Sequence, residues 1–482
     1  MTEDQELSGG NRLISKNGKV ALGFYTSRSS KSSLDNTTFP NCQIIAAKGG
    51  RIANKNTTIT AALTNDGNLV IRDASNPSVV WWQSFDHPTN VFLPGARIGR
   101  NKVTGQKYSL ASKKNLIDPA PGLYCMELDP TEHGTPRITF LGTSMFARSC
   151  TEAMLRSNPF EACSDDPATV VSLPGLPHRV VELRGQMMDP VKRPHEWALF
   201  QLIHAAHRRS YGELFNSFHE LEPAYAEHYR ATLHRRAWLV GPVALASGSG
   251  KDVTSRGAVA GALSPESIVC LRWLDEKPAS SVLYVSFGTM TIFSPEQMRE
   301  LARGLDLSGK NFLWVIANGS ASTDLCMTDG FPMAHRGYIV RGWAPQVLIL
   351  NHPAVGGYMT HCGWNSTLEA VSAGVPMVTW PRYADQFHNE KLVVEVLEVG
   401  VGVGAEDYAT WMETHRLIGS EVIAESIRKV MKKETMWKKV EELGANARAA
   451  VEKGGSSYDD VGQLMEELMA RRCSGRTARG QL

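Results

Sequence analysis

Residues 343–386 read WAPQVLILNHPAVGGYMTHCGWNSTLEAVSAGVPMVTWPRYADQ, and their pattern predicts the fold of the carboxyl-terminal half of the chain. Its run PAVGGYMTH predicts a short buried strand that ends at His361, and GWNSTLEAVSAG predicts a helix that Gly374 terminates. A junction of strand, glycine and helix points the first free N–H groups of the helix at one spot, where the helix dipole favours an anion. The stretch therefore predicts an α/β unit with an anion-binding turn.

Polar side chains of suitable chemistry surround the predicted turn. Asn365 and Ser366 stand at the start of the helix and His361 just before it, so that the three can hold a diphosphate. Glu369 lies one turn along the same helix face, where its carboxylate can accept hydrogen bonds from a ribose diol. We expect these side chains to bind the ribose and phosphates of a nucleotide.

The flanking residues extend this pattern from a nucleotide to a nucleotide sugar. Trp343 offers a flat face to a base, and Gln346, three residues further on, offers an amide to the edge of that base. Asp385 and Gln386 follow the next predicted strand, PMVTWP, where their side chains can bond to sugar hydroxyls. The ordered set predicts a nucleotide-activated sugar as the ligand.

Each part of the stretch also has a purely structural interpretation. Ser366 and Glu369 fit a capping box, which would explain both residues through helix stability alone. His361 taken by itself fits a core histidine, and Trp343 and Trp364 fit core aromatic residues. The ligand-binding interpretation therefore depends on the whole set and its spacing.

As a whole, the stretch resembles the donor-binding signature box of plant UDP-glycosyltransferases. The resemblance implies that a UDP-sugar is the donor substrate, with UDP-glucose indicated by the final Gln386, and it implies no separate cofactor or metal. The loop SFGT, which ends at Thr289, resembles the family turn that adds a hydroxyl to the diphosphate site. The donor-binding residues implied in this way are Thr289, Trp343, Gln346, His361, Gly363, Trp364, Asn365, Ser366, Glu369, Asp385 and Gln386.

Composition narrows the class of protein. The 482 residues carry a formal net charge of +2, which gives no indication of a nucleic-acid partner or an anionic membrane surface. No apolar stretch approaches the roughly 18 residues of a membrane-spanning helix, and the start, MTEDQELSGG, lacks the apolar segment of a secretory signal. The 8 scattered cysteines form no CxxC pair, so we expect no zinc site or disulfide framework and a protein of the cytoplasm.

Residues 1–130 predict an all-β domain, because short alternating runs are separated by turns rich in Gly, Asn, Ser and Pro. The phrases LISKNGKVALGFY and LTNDGNLVIRD resemble the bulb-type lectin domain of plant S-locus receptor-like kinases. That family binds mannose through a Gln-x-Asp-x-Asn-x-Val-x-Tyr strand, and here both ends of the motif are replaced, which favours a structural β-domain. The aligned positions are Thr64, Asp66, Asn68, Val70 and Arg72.

From residue 131 the pattern changes to alternating strands and helices, which indicates two Rossmann-like lobes. This arrangement resembles the GT-B fold of the same glycosyltransferases, here preceded by the all-β domain, so the chain looks like a chimera. We expect a truncated acceptor-side lobe at 131–243, a linker at 244–265, a UDP-sugar-binding lobe with carboxyl-terminal helices at 266–470, and a tail at 471–482.

The first lobe is predicted to be incomplete. About three strands are visible in it, where the family has about seven, so we expect an unpaired sheet edge and exposed apolar faces unless the β-domain or a partner covers them. The family's catalytic His and its orienting Asp belong to sequence that would precede residue 131, and the resemblance therefore assigns no catalytic residue. Among other histidines, His204 and His207 share a predicted helix without a predicted carboxylate partner, and His133 lies near the junction.

These observations leave different classes of function open. The resemblance implies an enzyme that transfers glucose from UDP-glucose to a hydroxyl of a small, flavonoid-like plant metabolite, whose identity the sequence does not give. The missing base favours a catalytically silent UDP-sugar-binding protein, because loss of a general base typically removes about 10²–10⁴-fold in rate. A lectin-like protein is the third alternative, and the replaced mannose positions weigh against it.

Overall fold

The computed structural model describes the second half of the chain more fully than the first. The chain divides into two compact units, residues 1–135 and 136–482, close to the boundary predicted at residue 130. The described residues are 12–14, 21–23, 59–63, 68–73, 75–76, 78–86, 99–100, 107–113, 121–126, 137–246, 265–288, 291–316, 336–409 and 415–477.

In the first unit the described residues form strands and a single 3-10 turn, Ser84–Asp86. The strands are β1 (Arg12–Ile14), β2 (Ala21–Gly23), β3 (Ile59–Leu63), β4 (Leu69–Asp73), β5 (Val80–Gln83), β6 (Gly99–Arg100), β7 (Lys107–Tyr108), β8 (Leu110–Lys113) and β9 (Pro121–Met126). Every recorded pairing among them is antiparallel, and the three-stranded sheet has the order β3-β4-β5. The all-β prediction for this unit is confirmed.

Asn68, which the lectin resemblance aligns with a sugar ligand, bonds to its own unit. Its Nδ2 donates to Gln83 Oε1 at 2.9 Å, and its Oδ1 accepts from the Ser84 hydroxyl at 3.0 Å. These bonds hold the start of β4 against the turn after β5. The aligned Thr64 and Asp66 lie outside the described residues.

The second unit begins with a small parallel sheet of order β10-β13-β14. The strands of this sheet are β10 (Ile138–Leu141), β13 (Gly212–Phe215) and β14 (Ala237–Leu239). Two further strands, β11 (Val170–Leu173) and β12 (Val180–Leu183), form a separate antiparallel hairpin. The helices of this lobe are α1 (Met145–Ser157), α2 (Pro194–Arg208), α3 (Pro223–Glu227) and α4 (Val243–Ala246). The three predicted strands are thus present, whereas the hairpin was not predicted.

Helix α1 forms the centre of this first lobe. Ser144 caps it, because its hydroxyl accepts from the Ala147 N–H at 2.9 Å, and Asn158 ends it in the left-handed conformation. The buried carboxylate of Glu222 accepts from the free N–H of Phe146 at 2.8 Å. Because these bonds satisfy backbone N–H groups in the first turn of α1, the start of the helix can be buried, and Met145 and Phe146 are fully buried.

The second lobe contains a six-stranded parallel sheet. Its strands are β15 (Val282–Ser286), β16 (Asn311–Ile316), β17 (Gly337–Arg341), β18 (Val355–Thr360), β19 (Met377–Thr379) and β20 (Gly400–Gly402). The accompanying helices are α5 (Pro265–Asp275), α6 (Pro295–Ser308), α7 (Gln346–Leu350), α8 (Trp364–Ala373), α9 (Gln386–Lys391), α10 (Ser420–Val430), α11 (Glu434–Val451) and α12 (Ser456–Thr477). Strands β15 and β18 are buried along their whole length, as central strands with both faces covered should be.

The order of this sheet, β17-β16-β15-β18-β19-β20, is that of a doubly wound Rossmann fold. The direction of winding reverses between β15 and β18, which pair in parallel. In such sheets a ligand binds beyond the carboxyl ends of the strands at the point of reversal. The topology therefore places the ligand site next to Ser286 and Thr360, the last residues of these two strands.

The last helix, α12, returns to the first lobe. Asp460 accepts from the Leu239 N–H of β14 at 2.7 Å and forms an ion pair with Arg230 at 2.7 Å. The helix continues to Thr477, beyond the boundary drawn at residue 470 from the sequence. Among the described helices none has the length and apolarity needed to cross a membrane.

The first lobe exposes apolar surface. Phe140, on the outer strand β10, is 55% exposed, and Leu199 and Leu202 of α2 are 58% and 69% exposed. The expectation of an unpaired edge with exposed apolar side chains is met among the described residues of this lobe.

Candidate nucleotide-sugar site

A cavity of about 460 Å³ opens beyond the carboxyl ends of β15 and β18. It lies where the topology of the sheet predicts a ligand. Eight of the residues predicted from the sequence line it, namely Trp343, Gln346, His361, Gly363, Trp364, Asn365, Ser366 and Glu369. Thr289, the next residue in the sequence after Gly288, lies outside the described residues.

The start of helix α8 forms the floor of this cavity. Gly363 is the cap residue and supplies no side-chain hydrogen bond, so the first N–H groups of the helix, beginning at Trp364, have no intrahelical acceptor. Ser366 is the third residue of the helix and not its cap, so the capping-box alternative for Ser366 and Glu369 is wrong. The open helix start is suited to an anion.

His361 lies against two glycines at this turn. A Cβ at Gly288 would be 2.9 Å from His361 Cε1, and one at Gly363 would be 2.5 Å from His361 Nε2, so both positions need glycine. Burial lowers the pKa of His361 to about 4, and its buried Nδ1 has no hydrogen-bond partner. A neutral imidazole with an unused ring nitrogen can donate a hydrogen bond to an anionic oxygen.

Glu369 is held in place by the amide of Gln346. The Gln346 Nε2 donates to Glu369 Oε2 at 2.8 Å and to Ser366 Oγ at 3.0 Å. The Gln346 Oε1 in turn accepts from the hydroxyls of Tyr358 at 3.1 Å and Tyr284 at 3.3 Å. Gln346 therefore orients Glu369 and Ser366, a role that the sequence, which indicated contact with a base, did not predict.

The two predicted tryptophans occupy different environments. Trp343 is 47% exposed at the rim of the cavity, where its ring face is accessible. Trp364 is buried, and its indole N–H donates to the backbone carbonyl of Asn216 at 2.8 Å. Asn216 belongs to the first lobe and also donates to Asn365 Oδ1 at 3.3 Å. The side chain of Trp364 thus connects the lobes, while its backbone belongs to the cavity floor.

Asp385 and Gln386 lie away from the lining of this first cavity. Asp385 accepts from the Thr143 hydroxyl at 2.7 Å, and burial raises the pKa of its carboxyl. Gln386 uses its Oε1 to accept from the N–H groups of Arg382 at 2.9 Å and Tyr383 at 3.2 Å, which closes the turn before α9. Thr143, which the sequence did not indicate, brings the first lobe to this position.

Asp385 lines a second cavity of about 400 Å³, which shares Gly142 with the first. Its apolar walls come from both lobes. The side chains that form them include Met154, Met187, Met188, Phe200 and Phe387. The second cavity therefore offers an apolar surface beside the carboxylate of Asp385.

The histidines considered from the sequence do not provide a base here. His204 lines the second cavity, but its Nδ1 lies 2.6 Å from Arg148 Nη1, and burial together with Arg148 lowers its pKa to about 3. Burial and Arg148 also lower the pKa of His207. His133 lies outside the described residues.

The fold and the cavity define a two-lobed α/β transferase of nucleotide sugars. A family model described as UDP-glucoronosyl and UDP-glucosyl transferase matches residues 221–441, and one described as D-mannose binding lectin matches residues 26–114. UDP-glucose flavonoid 3-O-glucosyltransferase 7 of Fragaria ananassa is 43% identical over 346 residues, which cover 69% of this chain and 70% of that protein. Scopoletin glucosyltransferase of Nicotiana tabacum is 43% identical over 349 residues, 70% of this chain and 72% of that protein.

Solved structures agree with this assignment. Glycyrrhiza uralensis UGT73P12 superposes with a TM-score of 0.66 at 38% identity, covering 72% of this chain and 71% of that one. Medicago truncatula UGT71G1, solved in complex with UDP-glucose, gives a TM-score of 0.59 at 30% identity over 70% and 72%. The chain belongs to the UDP-glycosyltransferase family, and the prediction of a GT-B fold fused to a bulb-type lectin domain is confirmed.

Proposed function

We propose that the second lobe binds UDP-glucose and that the chain transfers glucose to a hydroxyl of a small phenolic plant metabolite. In this arrangement the uracil stacks on Trp343, the ribose bonds to Glu369, and the diphosphate lies at the start of α8. The glucose extends towards Thr143 and Asp385, at the junction of the two cavities. The observation that carries this proposal is the preformed Gln346–Glu369 pair beside an open helix start.

The carboxylate of Glu369 suits a ribose diol because it accepts hydrogen bonds and is already oriented. Gln346 fixes one of its oxygens at 2.8 Å, so a ligand finds the carboxylate in place and less side-chain freedom is lost on binding. Hydrogen bonds to a charged group contribute about 1.5–3 kcal/mol each. Glu369 is therefore expected to be a main determinant of nucleotide affinity.

The diphosphate site needs no basic side chain in this proposal. The free N–H groups at the start of α8 lie at the positive end of the helix dipole. His361 lines the same turn, and its depressed pKa keeps the imidazole neutral, so the residue adds a polar ring to the site without adding charge. The site gains anion affinity without a buried cation that would lack a partner in the empty protein.

The second cavity is the proposed acceptor site. Its methionine and phenylalanine walls suit a flat aromatic molecule, and it adjoins the first cavity at Gly142. In the reaction the acceptor oxygen attacks the anomeric carbon of glucose, and UDP leaves with the electron pair of the broken bond. Named relatives act on flavonoids and on scopoletin, and a phenolic acceptor for this chain is inferred from them.

A second candidate function is UDP-sugar binding without transfer. The sheet of the first lobe has three strands among the described residues, and the family's catalytic His and Asp have no counterpart in the sequence. Under this alternative the donor site stays functional while turnover remains close to the uncatalysed rate. Binding and transfer must therefore be measured separately.

Calorimetric titration with UDP tests the donor site. We expect Glu369→Ala to weaken UDP binding roughly 10- to 100-fold, since about 1.5–3 kcal/mol of hydrogen bonding to ribose is lost. Glu369→Gln keeps the shape of the side chain but loses its charge, so its affinity for UDP should lie between that of the alanine variant and that of the wild type.

Glu442→Ala is the matched control, because Glu442 is an exposed glutamate on α11. It should bind UDP as the wild type does. Equal UDP affinity in the wild type and Glu369→Ala would contradict the proposed site.

A further inference from the structure

A histidine and a glutamate from different lobes form a buried pair beside the second cavity. His388 Nδ1 lies 2.7 Å from Glu182 Oε1. Glu182 comes from β12 in the first lobe, and His388 comes from α9 in the second. Both side chains are buried, so the pair forms a fixed link between the two lobes.

The orientation of the pair leaves one ring nitrogen for a ligand. His388 lines the second cavity, whereas Glu182 lines a different cavity on its far side. Because a carboxylate accepts hydrogen bonds, Glu182 keeps a proton on Nδ1 and leaves the lone pair of neutral His388 on Nε2. Within the described ranges no protein group bonds to that Nε2. A histidine held by a carboxylate through Nδ1, with Nε2 free, has the arrangement of a general base.

The pair is close to the place assigned to the glucose. His388 lies three residues after Asp385, which caps α9, so the two side chains lie on one face about 5–6 Å apart at Cβ. Both line the second cavity, which meets the donor cavity at Gly142. An acceptor hydroxyl next to the glucose would therefore lie near the side chain of His388.

The surrounding charges favour His388 over other candidates. Burial lowers the pKa of His388, but Glu182 and then Asp385 raise it, and the net result is a pKa above the ordinary value. His204, in the same cavity, has a pKa of about 3 and contacts a guanidinium. The other ionisable groups near the pair are Arg148 and Tyr408 in the cavity wall, and Cys150 and Glu390, whose pKa values are raised mainly by burial and further by Glu182.

We propose that His388, positioned by Glu182, is the general base of this chain in place of the missing family histidine. The proposal rests on the proposed function, since it requires UDP-glucose in the donor cavity. His388 Nε2 takes the proton of the acceptor hydroxyl as the acceptor oxygen bonds to the anomeric carbon. The bond from that carbon to the diphosphate oxygen breaks, and its electron pair leaves with UDP. The imidazolium then releases the proton to solvent.

The pH dependence of kcat in the wild type tests the role of His388 without any variant. The neutral form of His388 is the active one, so kcat should rise with pH through one ionisation and then level off above it. Assays with 4-nitrophenol and the less acidic 4-methoxyphenol should give the same inflection. If no base acts, the rate depends on the fraction of the acceptor that is present as phenolate, and the inflection then shifts with the pKa of the acceptor. Such a shift would overturn the proposal.

Variants give a second, independent test. His388→Ala should lower kcat about 10²–10⁴-fold, with UDP affinity within about twofold of the wild type, and added imidazole should restore part of the rate. Glu182→Gln should lower kcat less and move the inflection to lower pH, because the carboxylate that raises the pKa of His388 is gone. The control is His352→Ala, since His352 also pairs with a carboxylate, that of Asp275 at 3.1 Å, but lines neither cavity.

The outcomes separate the two proposals. If the wild type does not bind UDP, the proposed function fails. If UDP binds but the wild type forms no product above a protein-free control, or His388→Ala keeps the wild-type kcat, only the role of His388 is overturned. If His388→Ala does not fold, the wild-type pH profile with the two phenols decides.

Discussion

The two lobes of residues 136–482 are built from the same kind of parallel sheet but differ in completeness. The second lobe has six strands in Rossmann order, and its central strands β15 and β18 are fully buried. Among the described residues the first lobe has three strands in its parallel sheet, and Phe140 on the outer one is 55% exposed. The proposed nucleotide cavity is lined mainly by residues of the second lobe. Thr143 and Glu182, which we propose to act near the sugar and the acceptor, come from the incomplete lobe.

Both lobes contain buried polar atoms without hydrogen-bond partners, but in the first lobe some of them belong to a buried cluster of charged side chains. In the second lobe the Gln346 amide bonds through both its oxygen and its nitrogen. In the first lobe Arg148, Glu152 and Glu213 form a buried ionic cluster, in which Arg148 Nη1 lies 2.7 Å from Glu152 Oε1 while Arg148 Nε and Glu213 Oε2 have no hydrogen-bond partner. Buried charges with incomplete bonding cost stability. We therefore expect the first lobe, with its smaller sheet and its buried ionic cluster, to be the less stable of the two.

Hydrogen exchange should show the largest difference between the lobes. We expect the amides of β15 and β18 to exchange at least about 10³-fold more slowly than those of β10, because the edge strand opens without unfolding the larger sheet. Mass spectrometry of peptides covering these strands measures the ratio. Equal protection would show that the first lobe is stabilised by something other than its own three-stranded sheet.

Acid should destabilise the chain through His361. The unfolded histidine takes up a proton below its ordinary pKa of 6.5, whereas the folded one does so only near 4. Stability from this group is therefore present above pH 6.5 and is lost as the pH falls towards 4, by about 2–3 kcal/mol between pH 7 and 4.5. Urea unfolding of the wild type and His361→Asn at both pH values measures it. The same loss in both proteins would rule out His361 as the source.

Asp385 should distinguish UDP-glucose from UDP. Its carboxylate lies at the junction of the lobes, bonded to Thr143 at 2.7 Å, and away from the nucleotide cavity. Asp385→Ala should weaken UDP-glucose binding about tenfold, as expected for one or two hydrogen bonds to sugar hydroxyls, and leave UDP binding unchanged. A loss of affinity for both ligands would place Asp385 in the nucleotide site instead.

The smallest effect is expected from the contact between Trp364 and Asn216. Trp364→Phe removes the hydrogen bond to the Asn216 carbonyl and should cost about 1 kcal/mol, or about 2 °C in Tm. UDP affinity should change by less than about twofold, because the backbone N–H groups of α8 remain. Differential scanning calorimetry with and without UDP measures both, and a large fall in UDP affinity would show that nucleotide binding depends on the link between lobes.

Local features of the chain could be predicted from the sequence. The strand that ends before His361, helix α8 with its stop at Gly374, and helix α1 all follow from periodicity and terminal residues within short windows. The capping-box alternative failed because the helix begins at Trp364, three residues earlier than that pattern requires.

Contacts between distant positions could not be predicted in this way. Glu182 and His388 are 206 positions apart, and Asn216 and Trp364 are 148 apart, so no local pattern connects them. The role of Gln346 was missed for a related reason, since its partners include Tyr284, 62 positions away. Short polar side chains such as Thr143 give no signal in sequence that distinguishes a ligand contact from a surface residue.

We propose that the second lobe keeps a formed UDP-glucose site although the lobe beside it is incomplete. Calorimetric titration of the full chain with UDP-glucose measures whether that site exists. We predict a saturable, one-to-one binding isotherm with a Kd of about micromolar order, competed by UDP. Absence of binding at millimolar UDP-glucose, in a sample whose β15 and β18 amides are protected from exchange, would contradict the claim.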